Sequence, residues 1–439
     1  MIKPLIMIRR HSTRQALLLL VGDLVSYTLA LWLTLLVRYW AWPSWETFST
    51  HLYPFSIVFL IWIIVFFIAD LYGRQSSGFD SRLAETVINA QLAGSFLTVL
   101  FFYYIPFFGI TPKLTLFLDL FLSLGVIFIW RRYGSRFLRQ GRMENYFFHC
   151  RGPEVEELKR ELEHNQKYQV AVTQYGGPLA SLKLSEISIL VLNFYDQRTS
   201  VEAVACYRLM VAGVKVISTH RLYEEVFGRI PLSVISEQWF LEHIENESGL
   251  TYRLFKRLMD FIIGLVLAII SLPLYPLIAL AIFINDRGPI FYQEGRIGRG
   301  NRIFQITKFR SMTTESDLSQ RRVTFMGRIL RKTRFDELPQ LWSVVMGEQS
   351  LIGPRPERPE YVAVYNKQIP YYQARHLITP GLSGWAQIYQ ECHPHFRLEL
   401  DATREKLSYD LYYIKNRSLW LDITIALKTI KTILSRVGV

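Results

Sequence analysis

The hydrophobic positions of this 439-residue chain fall into blocks. Residues 16–40, 53–71, 84–108 and 114–130 are apolar runs, each near the ~20 residues that cross a bilayer as a helix. Past residue 144 the pattern shortens and alternates. Residues 145–150, 168–175, 187–194 and 214–219 read as strands, and PEVEELKRELEHN and VEAVACYRLMVAG as helices, an order that predicts an open α/β sheet. A further apolar stretch, residues 261–283, carries Ser271, Pro273 and Pro276 at its middle. Proline removes a helical hydrogen bond and a serine can serve the freed carbonyls, so this helix is expected to bend and return to the face it entered from.

Three parts follow: a four-helix transmembrane domain over 1–143, a Rossmann-like α/β domain over 144–245, and a third domain over 246–439 with the bent helix at about 258–284. The first run is not expected to be a cleaved signal, since it lacks a small-residue cleavage site and further spans follow. No internal repeat is present.

The net charge of +13 suggests nucleic acid until its distribution is read. Lys3, Arg9, Arg10 and Arg14 precede the first run, Arg74 and Arg82 separate the second from the third, and Arg131, Arg132, Arg136, Arg139 and Arg142 follow the fourth. The other two loops hold little more than Arg38 and Lys113. That alternation predicts four spans with both ends cytoplasmic. Asp23 and Asp119, acids well inside runs, are expected to help the spans pack, and no charge pair is expected within the membrane. Cys150, Cys206 and Cys392 give no disulfide framework. The run Glu391-Cys392-His393-Pro394-His395 lacks a second spaced ligand pair and reads as a loop rather than a zinc site. His149-Cys150-Arg151-Gly152-Pro153 stands where a dinucleotide-binding fold has G-x-G-x-x-G, so the α/β domain reads as degenerate, structural or regulatory.

Candidate chemistry is confined to three consecutive stretches. Residues 288–312 hold two predicted strands, a Gly-rich turn at Gly295–Gly300, and Arg296, Arg299, Arg302, Lys308 and Arg310. In RKTRFDELPQLWSVVMG, Leu338, Leu341, Trp342 and Val345 mark a helical face that Gly347 terminates, with Asp336 expected as N-cap and Glu337 in the first turn. An aspartate there commonly does no more than cap. Here Arg331 and Arg334 are expected to keep Asp336 deprotonated, and Gly353-Pro354-Arg355-Pro356-Glu357 adds a guanidinium on a rigid turn. Together these predict a phosphate site with one carboxylate able to attack phosphorus and another able to hold a divalent cation such as Mg²⁺.

KFRSM, RKTRFDELPQLW, SLIGPRPE, PGLSGWAQI and YDLYYIKNRSLWLDI resemble the signature blocks of the bacterial sugar transferase family, monotopic polyprenyl-phosphate sugar-1-phosphate transferases. The resemblance covers about residues 252–439, and the preceding spans and α/β domain resemble the long-form members that initiate exopolysaccharide or O-antigen synthesis. It implies transfer of a sugar 1-phosphate from a nucleotide diphosphate sugar, with UDP expected, to undecaprenyl phosphate, releasing UMP. It also implies Asp336 as the nucleophile of a covalent phosphosugar intermediate, Glu337 as the Mg²⁺ ligand, Arg331 and Arg355 on phosphates, Lys308 in the site, and Ser271 and Pro273 shaping a re-entrant helix. The implied setting is the bacterial inner membrane, multi-pass, with an α/β catalytic domain on the cytoplasmic face and a homodimer left open. After GWAQI the chain reads YQECHPHF, where many members have a short Asn-Gly-type turn, a departure that bears on sugar choice. The C-terminal stretch, with Lys415, Arg417, Lys428, Lys431 and Arg436 among Tyr, Trp and Leu, reads either as a headgroup-layer segment or as a packed helix with a basic face. The alternatives are a catalytically inactive membrane scaffold, or a glycosyltransferase releasing UDP.

Overall fold

The computed structural model describes residues 7–69, 71–72, 81–104, 113–138, 144–165, 168, 170–182, 187, 189–244, 250–314, 322–390 and 399–434. It divides into two compact units, Met1–Met143 with Asn165–Gln169, and Glu144–His164 with Val170–Val439.

The four apolar runs of the first unit lie on α1 (Met7–Tyr39), α2 (Trp45–Ile68), α3 (Ser81–Tyr104) and α4 (Lys113–Leu138). Among the described residues, Leu17–Tyr39 of α1 and all of α2 are long and apolar enough to cross a membrane, which makes this a membrane-associated protein. Tyr27, Leu31 and Leu35 of α1 pack with Phe55, Phe59, Trp62 and Phe66 of α2. At Gly22 a Cβ would meet the Trp130 ring at 2.0 Å, so only glycine admits α4 this closely. Beside that contact Arg131 grips Asp23 with two hydrogen bonds, Nε to Oδ1 at 3.1 Å and Nη2 to Oδ2 at 2.5 Å, and donates to the Leu71 carbonyl at 2.7 Å. The expectation that the runs hold no charge pair is corrected here. The partners stand 108 positions apart, and Arg131 lies one residue past the fourth run, where a linear window cannot join them. Thr34 donates to Asp119 at 3.3 Å, so both acids tie α1 to α4, as expected.

The second unit opens with a parallel sheet in the order β2-β1-β3-β4: β1 (Glu144–Phe148), β2 (Val170–Gln174), β3 (Ile189–Leu192) and β4 (Lys215–Ser218). Every residue of β3 is buried, the mark of a parallel strand covered on both faces. The α/β alternation was legible in the sequence. Helices α5 (Pro153–His164), α6 (Gln197–Val201), α7 (Ala203–Val211) and α8 (Thr219–Phe227) connect or follow the strands. Then α9 (Glu237–His243) places Trp239 in one core cluster with Ile230, Ile235, Leu407, Leu411 and Ile414.

The bent apolar helix is the pair α10 (Leu250–Ser271) and α11 (Leu274–Asp286), turned by 55° at Leu272-Pro273. Ser271 Oγ donates to the Ala268 carbonyl at 2.7 Å, the expected service to a freed acceptor. Pro276 falls in the first turn of α11, where a missing N–H costs nothing. Buried Asp260 of α10 accepts from Ser350 Oγ at 2.7 Å and Leu351 N at 3.1 Å. Ile278 and Ile282 of α11 pack with Phe309 and Leu330. Both limbs therefore bear on the same body.

That body begins with the antiparallel hairpin β5 (Phe291–Ile297) and β6 (Ile303–Phe309). Gly295 pairs with Gln305 inside it, so the turn expected at Gly295–Gly300 shortens to the segment around Gly300, whose φ of +66° needs glycine. There follow α12 (Phe325–Thr333), α13 (Gln340–Met346), β7 (Ser350–Ile352), α14 (Pro359–Gln368), β8 (Gly381–Ser383) parallel to β7, α15 (Trp385–Tyr389), α16 (Leu400–Asn416) and α17 (Leu419–Leu434). Most of α16 is buried, making it a core helix, whereas α17 exposes Trp420, Ile423, Ile430 and Ile433. The Glu391–His395 run lies outside the described residues, and so does most of YQECHPHF.

Candidate active site

Helix α12 ends where Arg334 takes a left-handed φ of +59°, and the chain makes a single 3-10 turn over Phe335–Glu337 before α13 begins. Asp336 is therefore not the N-cap that the sequence suggests. Pro339 holds that position, and the seven-residue helix starts too late to present its first N–H groups to Asp336. The buried positions of α13 are Gln340, Leu341, Ser343 and Val344, a face rotated from the expected one that left Trp342 and Val345 half-buried. The cause is the break at Arg334, which a reading of apolar spacing cannot register. Asp336 is itself buried, and its Oδ1 has no hydrogen-bond partner.

Burial and the adjacent Glu337 push the Asp336 carboxyl up to about 6, against the opposing pull of Lys308, Arg334 and Arg331. Burial outweighs the cations, so the carboxyl lies above its ordinary value yet is still mostly deprotonated at neutral pH, the state expected of it. Glu337 goes the other way. Burial disfavours its charge, but Arg355, Lys308 and Arg334 prevail and hold it at about 2. Arg355 Nη2 donates to Glu337 Oε1 at 2.5 Å, and Arg334 Nη1 lies 3.6 Å from the same oxygen. Two carboxyls whose environments drive them apart are suited to different tasks.

Lys308, on β6, stands 3.4 Å from Glu294 Oε1. Burial and Arg355 lower its pKa while Glu337 and Glu294 oppose them. Arg331, on α12, donates from Nε to Ser311 Oγ at 2.9 Å and feels the Asp336 charge. Lys308, Arg331, Asp336, Glu337 and Arg355 thus form one cluster, while Ser271 and Pro273 sit at the α10–α11 bend.

The cluster has supports that the sequence reading missed. Glu294 takes Arg296 Nη2 at 2.5 Å, Arg358 Nη2 at 3.0 Å and Lys308. Buried Arg375 donates to the Arg355 carbonyl at 2.8 Å, to Tyr372 Oη at 2.6 Å and, as an ion pair, meets Asp410 at 2.9 Å. It fixes the turn that aims Arg355. Lys406 and Arg375 hold Glu357 at about 2 despite its burial. The period-two spacing of Glu294 and Arg296 on one strand face was an available signal; Arg375, reaching across the fold, had none. Asp410 pairs with Arg375 and Asp422 with Lys256 at 3.4 Å, so both carboxylates serve the fold.

Adjacent carboxylates, one with an oxygen buried and unserved, suit a hard divalent cation. Among the described residues no group of three His, Cys, Asp or Glu side chains could hold such an ion alone. The pair could therefore hold such an ion only with further oxygens, which a bound phosphate would supply.

Comparison with known proteins assigns the same region. The family described as bacterial sugar transferase matches residues 251–436. The UDP-N-acetylgalactosamine-undecaprenyl-phosphate N-acetylgalactosaminephosphotransferase of Aeromonas hydrophila is 37% identical over 239 residues, 53% of this chain and 55% of that one. The undecaprenyl-phosphate glucose phosphotransferase of Komagataeibacter xylinus is 42% identical over 192 residues, 40% of this chain and 35% of its own. The UDP-glucose:undecaprenyl-phosphate glucose-1-phosphate transferase of Caulobacter vibrioides is 39% identical over 188 residues, 41% of this chain but 70% of its own. The chain spans about half or less of the first two relatives. With the match covering the hairpin, the carboxylate pair and the Arg355 turn, the chain belongs to the bacterial sugar transferase family.

Proposed function

We propose that the protein transfers a sugar 1-phosphate from a UDP-sugar to undecaprenyl phosphate, giving undecaprenyl-diphosphate-sugar and UMP and initiating a surface polysaccharide. The observation that carries this reading is the divided carboxylate pair: Asp336 buried, with an oxygen unserved, beside Glu337 clamped by Arg355. An Asp336 oxygen attacks the phosphorus that bears the sugar, and the bond to the bridging oxygen breaks as UMP departs with the electron pair. An undecaprenyl phosphate oxygen then attacks the same phosphorus and releases Asp336. Each step exchanges one high-energy phosphoryl linkage for another, and the anomeric carbon is never touched. Arg331, Arg355 and Lys308 hold the phosphates, and Arg375 keeps Arg355 in place. Mg²⁺, with Glu337 as its protein ligand, would neutralise the pyrophosphate.

We assign the α10–α11 pair as a re-entrant helix, supported by the 55° bend and by both limbs bearing on one body. The first unit then carries four spans with the catalytic domain on the cytoplasmic side of the inner membrane, and the parallel sheet over 144–245 is a structural or regulatory domain. The exposed apolar row of α17 lies in the headgroup layer. The partners are the UDP-sugar, undecaprenyl phosphate and membrane lipid, and a homodimer is compatible with this assignment.

The test is nucleotide release from membranes supplied with undecaprenyl phosphate, Mg²⁺ and a panel of UDP-sugars, beside Asp336→Asn. UMP with one sugar, absent from the variant, is expected. UDP would mean simple glycosyl transfer, and no nucleotide from any sugar would favour a scaffold.

A further inference from the structure

A cavity of the second unit lies away from the carboxylate pair. It has a volume of about 300 Å³ at the base of α10, and none of Lys308, Arg331, Asp336, Glu337 or Arg355 lines it. Its lining holds the cations Arg253, Lys256, Arg257, Arg299 and Arg417 against one carboxylate, Asp260.

Two of those cations are committed to the fold. Arg257 donates to the Val344 and Val345 carbonyls, each at 2.7 Å, closing the C-terminus of α13. Lys256 lies 3.5 Å from Asp260 and 3.4 Å from Asp422, which also accepts from Tyr252 and Tyr413. The other three, Arg253, Arg299 and Arg417, have no side-chain acceptor among the described residues, and Arg253 Nε is buried without a partner. They approach from three separate elements, α10, the β5–β6 turn and the α16–α17 junction. Burial and the nearby Arg299 and Arg253 charges lower the Arg417 pKa, although Tyr252 and Tyr413 oppose them. Three guanidiniums gathered around one cavity repel each other unless an anion sits among them. Planar forks of this kind match the oxygens of a phosphate, and the cavity has room for more than the bare ion.

We propose that this cavity is a second anion site, which takes the phosphate group of a phosphate ester through Arg253, Arg299 and Arg417. The ester is either the headgroup of an anionic membrane lipid, since α10 runs from this cavity into the apolar bend, or a soluble phosphate ester.

The experiment uses the full chain in nanodiscs of phosphatidylcholine alone or with phosphatidylglycerol. Native mass spectrometry reads retained phosphatidylglycerol, and the thermal midpoint in phosphatidylcholine discs reads the response to glycerol 3-phosphate. The variants are the triple Arg253→Gln, Arg299→Gln, Arg417→Gln and the matching triple to Lys. Losing charged hydrogen bonds should weaken binding about tenfold or more per guanidinium in the Gln form, and the Lys form, which keeps the charge but loses the fork, should fall between it and the wild type. Selective phosphatidylglycerol retention identifies a lipid headgroup, and a midpoint shift without retention identifies a soluble ester. Equal behaviour of wild type and Gln form in both readouts overturns the proposal. Should the Gln triple fail to fold, Arg299→Gln alone, at an exposed turn residue, gives the same reading.

Discussion

Asp336 and Glu337, joined by one peptide bond, are driven to opposite ends of the carboxylate range, about 6 and about 2. The nearest contact marks the difference: Arg355 reaches Glu337 at 2.5 Å, and no donor reaches Asp336 Oδ1.

In the proposed reaction Asp336 must be ionised to attack phosphorus, so transfer should fall about tenfold per pH unit below about 6 and level off above it. A rate profile flat down to pH 5 would contradict that role. Asp336→Asn should abolish UMP release and still stabilise the fold. A carboxyl whose folded pKa is raised destabilises the native state above that pKa, and the cost disappears below its ordinary 3.8. The gain near neutral pH should be roughly 1–3 kcal/mol, read from denaturant midpoints, and should vanish in acid.

Arg355→Ala removes the nearest counter-charge of Glu337 and leaves only Arg334 and Lys308 to hold it. The expected loss is about 1–3 kcal/mol at neutral pH, below the cost of a fully unpaired buried charge. Because the low Glu337 pKa contributes stability above its ordinary 4.5 that is lost as pH falls toward about 2, the wild-type advantage should shrink over that window. An advantage independent of pH would assign the loss to packing.

The re-entrant reading places both ends of the bent pair on one face. Thr251→Cys and Asn285→Cys should therefore both react with a membrane-impermeant maleimide in inverted vesicles, and neither in right-side-out cells. Opposite accessibility would make α10–α11 a kinked span.

All the residues assigned to chemistry follow Glu294, so a chain beginning at Thr251 should transfer sugar phosphate while folded. It lacks Ile230, Ile235 and Trp239, however, and with them part of the core around Leu411. Removing a buried Trp and two Ile side chains should cost several kcal/mol relative to a chain beginning at Glu144. Equal melting temperatures would show that the core closes without them.

The elements were legible wherever their signal was local: apolar run length for α1 and α2, strand alternation for β1 to β4, and Pro273 for the bend. The site residues were legible as a set because they crowd into short stretches around positions 308, 331–337 and 355. What could not be read was a backbone event at a single residue. The left-handed turn at Arg334 moved Asp336 out of the N-cap and rotated α13, and nothing in an arginine announces positive φ. Nor could long-range pairings be read, such as Asp23 with Arg131 or Arg375 with the Arg355 carbonyl, because no spacing rule links positions that only the tertiary fold brings together.

The resting cluster carries a surplus of positive charge: Glu294 stands alone against Arg296, Lys308 and Arg358, and Glu337 against Arg355 and Arg334. Under the proposed function, an incoming diphosphate meets cations that share too few carboxylates, and its own charge makes up the deficit. An arginine that turns toward the phosphates loosens its hold on Glu337, the carboxylate proposed to hold the divalent cation. The cluster thus keeps a charge deficit in reserve, which the phosphates of the proposed substrate fill.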